Sequence, residues 1–262
     1  MKVVKKISRF YITGDCHARF NKFATDNFPE QKNLTKNDYV IICGDFGGVW
    51  NYLGETNEEK YWLDWLNKKP FTTLFVDGNH ENFERLNKYP RMKYHGGMVH
   101  RIRDSALHLM RGYVFDFDGK KFFTFGGAKS HDIQDGILDP KDYPTLSELV
   151  KVYNIRTRFG EMLRIKGISW WKEELPTKAE MDRGIRNLEK VNWKVDYVIS
   201  HCAPLSISSK MYPDDSDKLT VYFDDLIRRG LRFRDWWFGH YHGRKDFDYK
   251  YHMIFQDIER LL

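Results

Sequence analysis

The sequence predicts a mixed α/β fold in a single domain spanning residues 1–262. In the first third, short apolar runs alternate with helix signals, and this βαβ rhythm is typical of parallel strands. From about Leu107 onward the apolar runs are separated by Arg-Gly and Asp-Gly pairs, which favour antiparallel hairpins. A chain of this length can bury one substantial core, and it contains no repeat, low-complexity tract or linker that would divide it.

The composition is that of a soluble globular protein, with 41% apolar and 31% charged residues. Forty-three basic against 37 acidic residues give a net charge of +6 and a pI near 9.0. This excess suits a phosphate-bearing substrate or a nucleic acid. A solvated basic surface explains it equally well.

The cysteines and the hydropathy of the chain indicate in which cellular compartment the protein is expected. Cys16, Cys43 and Cys202 are far apart and form no Cys-x-x-Cys pair, which excludes a disulfide framework and a thiolate zinc site. The basic start is not followed by a signal-peptide stretch, and no run approaches the ~18 apolar residues of a membrane span. We expect an intracellular, cytoplasmic protein without a membrane partner, and no feature indicates a protein partner.

Three strands and two helices are predicted before residue 80. Short helical structure is expected within 18–28, and Thr56 and Glu59 form a capping box. The helix that they open places Tyr61, Trp62, Trp65 and Leu66 on one face and ends before Pro70. The strands are the apolar runs 10–13, 39–43 and 73–76.

An antiparallel meander is predicted next, over residues 106–110, 113–117 and 121–125. Residues 128–144 are polar and read as a surface loop, the start of a loop and helical cap region around 128–190. Thr145 and Thr177 each begin a possible capping box. Within the cap region, Trp170 and Trp171 are expected to pack in the core or under a lid rather than stack on a ligand.

The last third predicts strands at 195–200 and 236–238, with an amphipathic helix at 219–227 ending near Gly230. Phe247, Tyr249, Tyr251 and Met253 alternate with polar residues and predict one half-buried strand.

Five of the apolar runs are each followed at once by metal-ligand side chains, and a single such motif would be weak evidence. Carboxylate, amide oxygen and imidazole suit divalent ions of intermediate hardness, such as manganese, iron or zinc. Side chains two apart share one side of a strand, so each Asp-x-His or His-x-His pair is expected to contribute two ligands. Glycines before the motifs are expected to allow sharp turns. The motifs are Asp15-Cys16-His17, Gly44-Asp45, Gly78-Asn79-His80-Glu81, His201 and Gly239-His240-Tyr241-His242.

From Gly14 to His242 this pattern resembles the calcineurin-like metallophosphoesterases. The resemblance implies a four-layer αββα sandwich, in which two mixed β-sheets are flanked by helices, and a dinuclear metal centre at the strand ends. Carried over residue by residue, it implies that Asp15, His17 and His242 hold the first ion. Asn79, His201 and His240 would hold the second ion, and Asp45 would bridge the two.

The resemblance also implies a reaction. A metal-activated hydroxide would hydrolyse a phosphomonoester or phosphodiester, and manganese is the first choice of metal. His80, which is not a ligand, would stabilise the transition state or protonate the leaving oxygen. Many members of the family carry an aspartate that orients this histidine, and the protein phosphatases follow it with an arginine. Here Gly48 and Val49 occupy those positions, so the likeness to protein phosphatases is weaker.

The sequence also predicts roles for polar residues that are not ligands. Arg19 and the segment containing Lys129, Ser130, His131 and Asp132 are candidates for substrate binding. Glu81 is expected to begin a helix. His95, His100, His108 and His252 are expected to be structural or at the surface, and the three cysteines to be packing residues.

Several functions compete with a phosphoesterase of unspecified substrate. The basic pI favours a nuclease acting on DNA or RNA, although no separate basic arm or aromatic-rich nucleic-acid module is present. A non-catalytic scaffold on the same fold would be expected to lack ligands, whereas all seven predicted ligands and His80 are present. A protein that binds a single metal ion is a further alternative.

Overall fold

A computed structural model of the chain describes residues 7–213 and 215–262. Within these ranges, no helix has both the length and the apolarity needed to cross a bilayer. The α-helices are α1 (Asn57–Lys68), α2 (Phe83–Leu86), α3 (Leu146–Arg158), α4 (Lys178–Lys190), α5 (Leu205–Ser208) and α6 (Lys218–Arg228). The strands are β1 (Phe10–Thr13), β2 (Tyr39–Ile42), β3 (Thr72–Phe75), β4 (Arg91–Tyr94), β5 (Gly97–Arg103), β6 (Ala106–Leu109), β7 (Tyr113–Phe117), β8 (Lys120–Phe125), β9 (Gly136–Leu138), β10 (Leu163–Ile165), β11 (Tyr197–Ser200), β12 (Asp235–Phe238), β13 (Lys245–Phe247), β14 (Tyr251–Met253) and β15 (Glu259–Arg260).

Two mixed sheets form the centre of the protein. The first has the order β15-β1-β2-β3-β6-β5-β4, and its parallel strands are β1, β2, β3 and β6. The second has the order β13-β14-β12-β11-β8-β7, and its parallel strands are β14, β12, β11 and β8. Each sheet therefore has a parallel centre with antiparallel strands at its edges.

Alternation along the strands builds three apolar layers. In β2, Ile41 belongs to a buried cluster between the two sheets, whereas Val40 packs in a cluster with α1. In β12, Trp237 joins the layer between the sheets and Trp236 packs in the cluster with α4 and α6. Helix, sheet, sheet and helix thus follow one another, which confirms the four-layer sandwich.

The predicted three-strand meander is wrong. The run 106–110 forms β6, which pairs in parallel with β3 in the first sheet, and the chain then crosses to the second sheet. Of the three predicted runs, only the last two, β7 and β8, pair with each other as a hairpin. Its turn is the expected one, because Asp118 and Gly119 both adopt left-handed φ angles of 53° and 85°.

The single strand predicted from Phe247 to Met253 is also wrong. Asp248 and Tyr249 have φ angles of 49° and 58° and separate the antiparallel strands β13 and β14. Tyr249 lies at this turn and is 99% exposed. The alternation of aromatic and polar residues thus continues by chance across the tight turn between the two strands.

The predicted positions of the helices are more accurate than the predictions of which helix face is buried. The Thr56–Glu59 capping box opens α1 as predicted, but Tyr61 is exposed, and Leu63 and Leu66 are the apolar residues that α1 buries. The helical structure expected within 18–28 is a short 3₁₀ turn at Phe20–Phe23. Sequence patterns did not predict β4, β5 or β15, which have few of the apolar residues that mark a buried strand.

The segment predicted as a surface loop at 128–144 contains buried residues and a strand. Ser130 is buried, and β9 pairs in parallel with β10. Thr145 and Thr177 cap α3 and α4 as predicted, and Thr177 forms the complete box with Glu180. The cap region also has its own small apolar cluster, which consists of Leu138, Leu149, Leu163 and Ile165.

A buried carboxylate fixes the start of the first sheet. Asp38 precedes β2 and accepts hydrogen bonds from the backbone N–H of Arg9 (2.9 Å) and from Arg9 Nε (3.0 Å). It also accepts from the backbone N–H and the hydroxyl of Thr35. Burial alone raises the pKa of this carboxyl, but the bonds from Arg9 and Thr35 lower the pKa below its usual range. The ionised form therefore stabilises the fold.

We expect Asp38→Asn to lower the free energy of unfolding by roughly 1–3 kcal/mol at pH 7, since the variant leaves buried donors without a charged acceptor. The wild-type advantage is fully present above the unfolded carboxyl pKa of about 3.9 and is lost as the pH falls towards the lower folded value. Urea unfolding of both proteins at pH 7 and at successively lower pH measures it.

The matched control is Asp104→Asn, which removes an exposed carboxylate 3.7 Å from Arg101. An exposed pair of this kind contributes about 0–1 kcal/mol. Equal stability changes in the two variants would contradict a special role for Asp38.

Candidate metal centre

The predicted ligands follow parallel strands of both sheets. Because parallel strands end at one edge, the loops after them meet in a shared crevice. The first sheet supplies its motifs after β1, β2 and β3, and the second supplies its motifs after β11 and β12. These residues are Asp15, His17, Asp45, Asn79, His80, His201, His240 and His242.

One group of side chains contains Asp15, His17, Asp45 and His242, whose ligand atoms all lie within 4.8 Å of one another. His242 Nε2 is 3.0 Å from Asp15 Oδ2 and 3.1 Å from His17 Nε2. His17 Nε2 is 3.6 Å from Asp45 Oδ2. These short distances between side chains of three separate loops match a multidentate site for one cation.

A second group lies on the other side of Asp45. His201 Nε2 is 3.2 Å from Asp45 Oδ1 and 3.2 Å from Asn79 Oδ1. The His240 ring lies 5.0 Å from the His201 ring, measured between centroids. The two oxygens of Asp45 therefore face different groups, as a bridging carboxylate requires.

The electrostatics of this cluster suit a cation. Burial raises the pKa of Asp15 and Asp45, but neighbouring histidines, His201 first, lower both pKa values far below the usual range. Burial likewise lowers the pKa of His201, but the two carboxylates raise it to about 9. Asp15 Oδ2 is buried, and its close neighbours are the imidazoles of His242 and His17. Two buried carboxylates and several imidazoles form a donor set that fits divalent ions.

The orientation of His201 is set by a backbone carbonyl. His201 Nδ1 is 2.7 Å from the Cys43 carbonyl oxygen, which can only accept a hydrogen bond. When the imidazole is neutral, its lone pair is therefore on Nε2, the atom that faces Asp45 and Asn79. Ligand histidines are commonly held in this way.

Backbone strain is concentrated at these loops. His17, Asp45, His240 and His242 have φ angles between 45° and 67°, a left-handed conformation that costs such residues about 1–3 kcal/mol each. Asp15 and His17 both reach one group, as expected, but they do so from a tight turn beyond the strand end and not by alternation along a strand. Ala18 shares the left-handed conformation, with a φ angle of 60°.

The glycines before the motifs act mainly by making room. Gly44 has a left-handed φ angle of 92°, as a sharp turn requires. A sharp turn does not, however, explain the glycine at each of the other motifs. A Cβ atom on Gly78 would lie 2.0 Å from Asp45 Oδ1, and one on Gly239 would lie 2.2 Å from Asp15 Oδ1. The two central carboxylates thus pack directly against glycine backbone.

His80 is held by its backbone and by aromatic neighbours. Its N–H donates to Asp45 Oδ1 at 2.9 Å. Its ring lies 5.6 Å from Trp50, which in turn meets Trp171 edge to face at 5.5 Å. Burial lowers the pKa of His80. Trp171 is buried, so the packing role predicted for it is confirmed.

Gly48 cannot simply be replaced by the aspartate usual at that position. A Cβ atom there would lie 2.5 Å from the ring of Phe46, which stacks on Phe75 with centroids 4.0 Å apart. A carboxylate does reach this side of the site from the cap region. Asp132 lines the same cavity as His80 and accepts from Arg164 Nε at 2.8 Å.

Two adjoining cavities open at the centre. The first, of about 490 Å³, is lined by Asp45, Asn79, His80, His131, Asp132, Tyr212, His240, Tyr241 and His242. The second, of about 430 Å³, includes Lys129 and Ser130 and shares His131 and Tyr212 with the first. The substrate candidates Lys129 and His131 are thus beside the centre, whereas Arg19 is exposed and lines neither cavity.

Sequence reasoning missed Trp50, Arg164 and Tyr212. None of them belongs to a recognisable motif. Arg164 and Tyr212 also lie outside the five ligand motifs, in segments without a clear hydrophobic period. The only signal was the departure at Gly48 and Val49, which implied that another segment must complete the site.

The prediction for Glu81 is wrong. The helix that follows is α2, which begins at Phe83 with Asn82 as its N-cap. Glu81 is fully buried and accepts a hydrogen bond from the Phe46 N–H at 2.7 Å. Burial, and then the charge of Asp45, raise the pKa of Glu81 well above its usual range. It therefore supports the loop that carries Asp45.

A buried polar network lies under the same turn. Asp77 is 2.9 Å from His108 Nε2 and accepts from Arg111 Nε at 2.8 Å, and His108 contacts His100. Arg111 also donates to the Glu173 carbonyl of the cap region at 2.9 Å. The structural role predicted for His100 and His108 is confirmed, as is the burial of the three cysteines.

Comparison with known proteins gives one family. Its sequence profile, described as calcineurin-like phosphoesterase, matches residues 8–244. That range includes every predicted ligand and most of both sheets.

Similar curated proteins are lariat debranching enzymes. The Xenopus laevis lariat debranching enzyme A is 28% identical over 160 residues, which cover 56% of this chain and 28% of that protein. The Danio rerio enzyme is 28% identical over 159 residues (55% and 26%), and the Homo sapiens enzyme is 26% identical over 162 residues (56% and 28%). The matched part is therefore only about a quarter of the length of these relatives.

We expect Gly239→Ala to reduce bound manganese strongly, because the new methyl group must displace the Asp15 carboxylate. Metal content after gel filtration and the manganese-induced rise in melting temperature measure this effect.

The control is Gly243→Ala, whose Cβ would lie 2.7 Å from the terminal methyl carbon of the Met253 side chain and 3.7 Å or more from the other atoms near it. It should retain manganese. Full metal retention in a folded Gly239→Ala protein would mean that Asp15 is not a ligand.

Proposed function

The chain belongs to the calcineurin-like phosphoesterase family, and we propose that it hydrolyses a phosphodiester at the centre described above. In this proposal the first ion is held by Asp15, His17 and His242 and the second by Asn79, His201 and His240. Asp45 bridges the two ions. Manganese is the favoured metal, with iron and zinc as alternatives.

The observation that carries the proposal is the position of Asp45. Its Oδ1 lies 3.2 Å from His201 Nε2, and its Oδ2 lies 3.6 Å from His17 Nε2. A carboxylate between two sets of neutral donors is what a dinuclear site needs. Two divalent ions held there supply charge stabilisation for the phosphoryl oxygens and a nucleophile at neutral pH.

The protein's own groups orient the reactants. Asp45 is fixed by the His80 N–H, and His201 is fixed by the Cys43 carbonyl. His80 lines the same cavity as His240, and we assign it the proton transfer to the departing oxygen. The Trp50 ring packs beside His80 and against Trp171.

Two observations favour a diester in a nucleic acid over a simple monoester. The similar proteins are named for acting on lariats, and the net charge of +6 assists approach to a polyanion. Because the match covers only about a quarter of the length of those relatives, the proposal does not include their lariat substrate. A nuclease acting on RNA or DNA is the second candidate function.

We expect the manganese-loaded protein to hydrolyse methyl p-nitrophenyl phosphate, and chelation followed by gel filtration to abolish this activity. On a dinucleotide diester, whose alkoxide leaving group needs a proton, His80→Ala should lower kcat by about 10²–10⁴-fold, the usual contribution of a general acid. Its metal content should stay unchanged, because no ligand is removed. Release of the nucleoside and elemental analysis of the same samples measure both effects.

The outcomes separate the competing functions. Loss of metal in His80→Ala would show that Asn79 and His80 have been assigned the wrong roles. One ion per chain would favour a mononuclear site. A folded, fully loaded protein that cleaves no monoester, diester, RNA or DNA would leave the non-catalytic scaffold.

A further inference from the structure

The second cavity adjoins the metal centre without belonging to it. It has a volume of about 430 Å³, and its wall towards the centre is formed by His131 and Tyr212. Ligand pockets of about 300–1,000 Å³ accommodate drug-sized molecules, so this cavity has room for a nucleoside. Because the two cavities share these residues, a group bound here would lie next to a group bound at the metal centre.

The Tyr212 ring is held from one side and is partly exposed. Its ring stacks on Tyr241, with centroids 5.4 Å apart and planes inclined by 17°, yet Tyr212 remains 46% exposed. Tyr241 is itself fixed, since its hydroxyl donates to Asp215 Oδ2 at 2.7 Å. The backing ring thus holds Tyr212 in place while much of its surface stays accessible.

The remaining lining supplies polar contacts around this ring. Lys129 offers an ammonium group and Gln134 an amide that both donates and accepts. The His131 ring lies 6.2 Å from Tyr212 and stacks on the ligand candidate His240 at 4.5 Å. An exposed aromatic face, an amide and a cation beside a phosphate site are the elements that recognise a nucleotide.

We propose that this cavity binds the nucleoside next to the scissile phosphate and that Tyr212 is the surface on which its base stacks. The proposal rests on the phosphodiesterase function proposed above and specifies its substrate as a nucleotide diester. Every base has a π-face, so stacking on Tyr212 predicts little preference among bases.

The test uses two substrates with the same leaving group. Methyl p-nitrophenyl phosphate lacks a nucleoside, whereas thymidine 5′-(p-nitrophenyl phosphate) carries one. We expect a higher kcat/KM for the nucleotide. Tyr212→Leu should reduce that preference by about 5- to 150-fold, the range that corresponds to stacking on one aromatic side chain. Tyr212→Phe should retain it, because the ring is kept.

Tyr249→Leu is the matched control, since Tyr249 is also an exposed tyrosine but lines neither cavity. Calorimetric binding of thymidine 5′-monophosphate supplies a readout independent of turnover and should weaken only in Tyr212→Leu. Equal preference and equal binding in the wild type and Tyr212→Leu would overturn the nucleoside site. Failure to cleave either substrate would instead count against the phosphodiesterase function.

A different observation concerns the carboxylate missing at Gly48. Asp132 lines the metal cavity together with His80 and comes from the cap region. Arg164 donates to Asp132 Oδ2 through Nε at 2.8 Å and through Nη2, whereas Asp132 Oδ1 is buried without a hydrogen bond. One oxygen is thus anchored and the other remains available.

The electrostatics agree with this placement. Burial raises the pKa of Asp132, but the hydrogen bond and the charge of Arg164 lower it below its usual range, and the charge of His80 lowers it further. Burial lowers the pKa of Arg164, but the hydrogen bond to Asp132 and the charge of that carboxylate raise it above its usual value. The pair is therefore a fixed carboxylate–guanidinium unit whose carboxylate lines the same cavity as His80.

We infer that Asp132 is the positioning residue for His80, in place of the aspartate that the family usually has at the position of Gly48, and that Arg164 holds Asp132 in place. The cap region then completes the catalytic site. Under this inference Asp132 acts only through His80.

A double-variant cycle tests this dependence. Asp132→Asn should lower kcat by about 10- to 100-fold, the usual effect of losing a supporting partner, with KM and metal content unchanged. In the His80→Ala background the same substitution should have no further effect. Arg164→Gln should resemble Asp132→Asn in the direction of its effect.

The control is Arg156→Gln, which breaks another arginine–carboxylate pair of the cap region, with Glu161 (Nε to Oε2, 2.7 Å), away from the cavity. It should leave kcat unchanged. Multiplicative losses in the double variant, or a normal kcat in folded Asp132→Asn, would refute the link between Asp132 and His80.

Discussion

The carboxylate of Asp45 is the contact on which the centre depends. It accepts a hydrogen bond from the His80 N–H and approaches both His201 and His17, so it joins the loops after β1, β3 and β11. It fits only because Gly78 has no side chain. Glu81 fixes the Asp45 loop from beneath. Three strand ends from two sheets are thus brought to one anionic group.

This arrangement stores strain and concentrated charge, which the sandwich must support. Several predicted ligands have left-handed backbones, and two carboxylates are buried within one cluster. Such conformations persist only where the surrounding structure over-determines them. Three apolar layers on the faces of two sheets, and the Asp77–Arg111 pair beneath the β3 turn, provide that support. A bound cation would also offset the carboxylate charge.

The cap region forms part of the cavity at the centre. Its residues line the same cavity as the ligands and include Asp132 and His131. The two sheets therefore supply the donor set, whereas part of the surrounding wall comes from a segment without a recognisable motif. Loops held by a rigid scaffold commonly carry specificity in this way.

The sequence by itself determined the donor set, the parallel strands that carry it and the family resemblance, because ligand chemistry and buried strands leave local patterns. It also determined the capped helices at Thr56 and Thr177. Only the tertiary structure decided that β6 joins the first sheet and that Glu81 is buried. It alone brought Trp50, Arg164 and Tyr212 to the site. Those outcomes depend on contacts between residues far apart in the chain, and local propensity contains no information about such contacts.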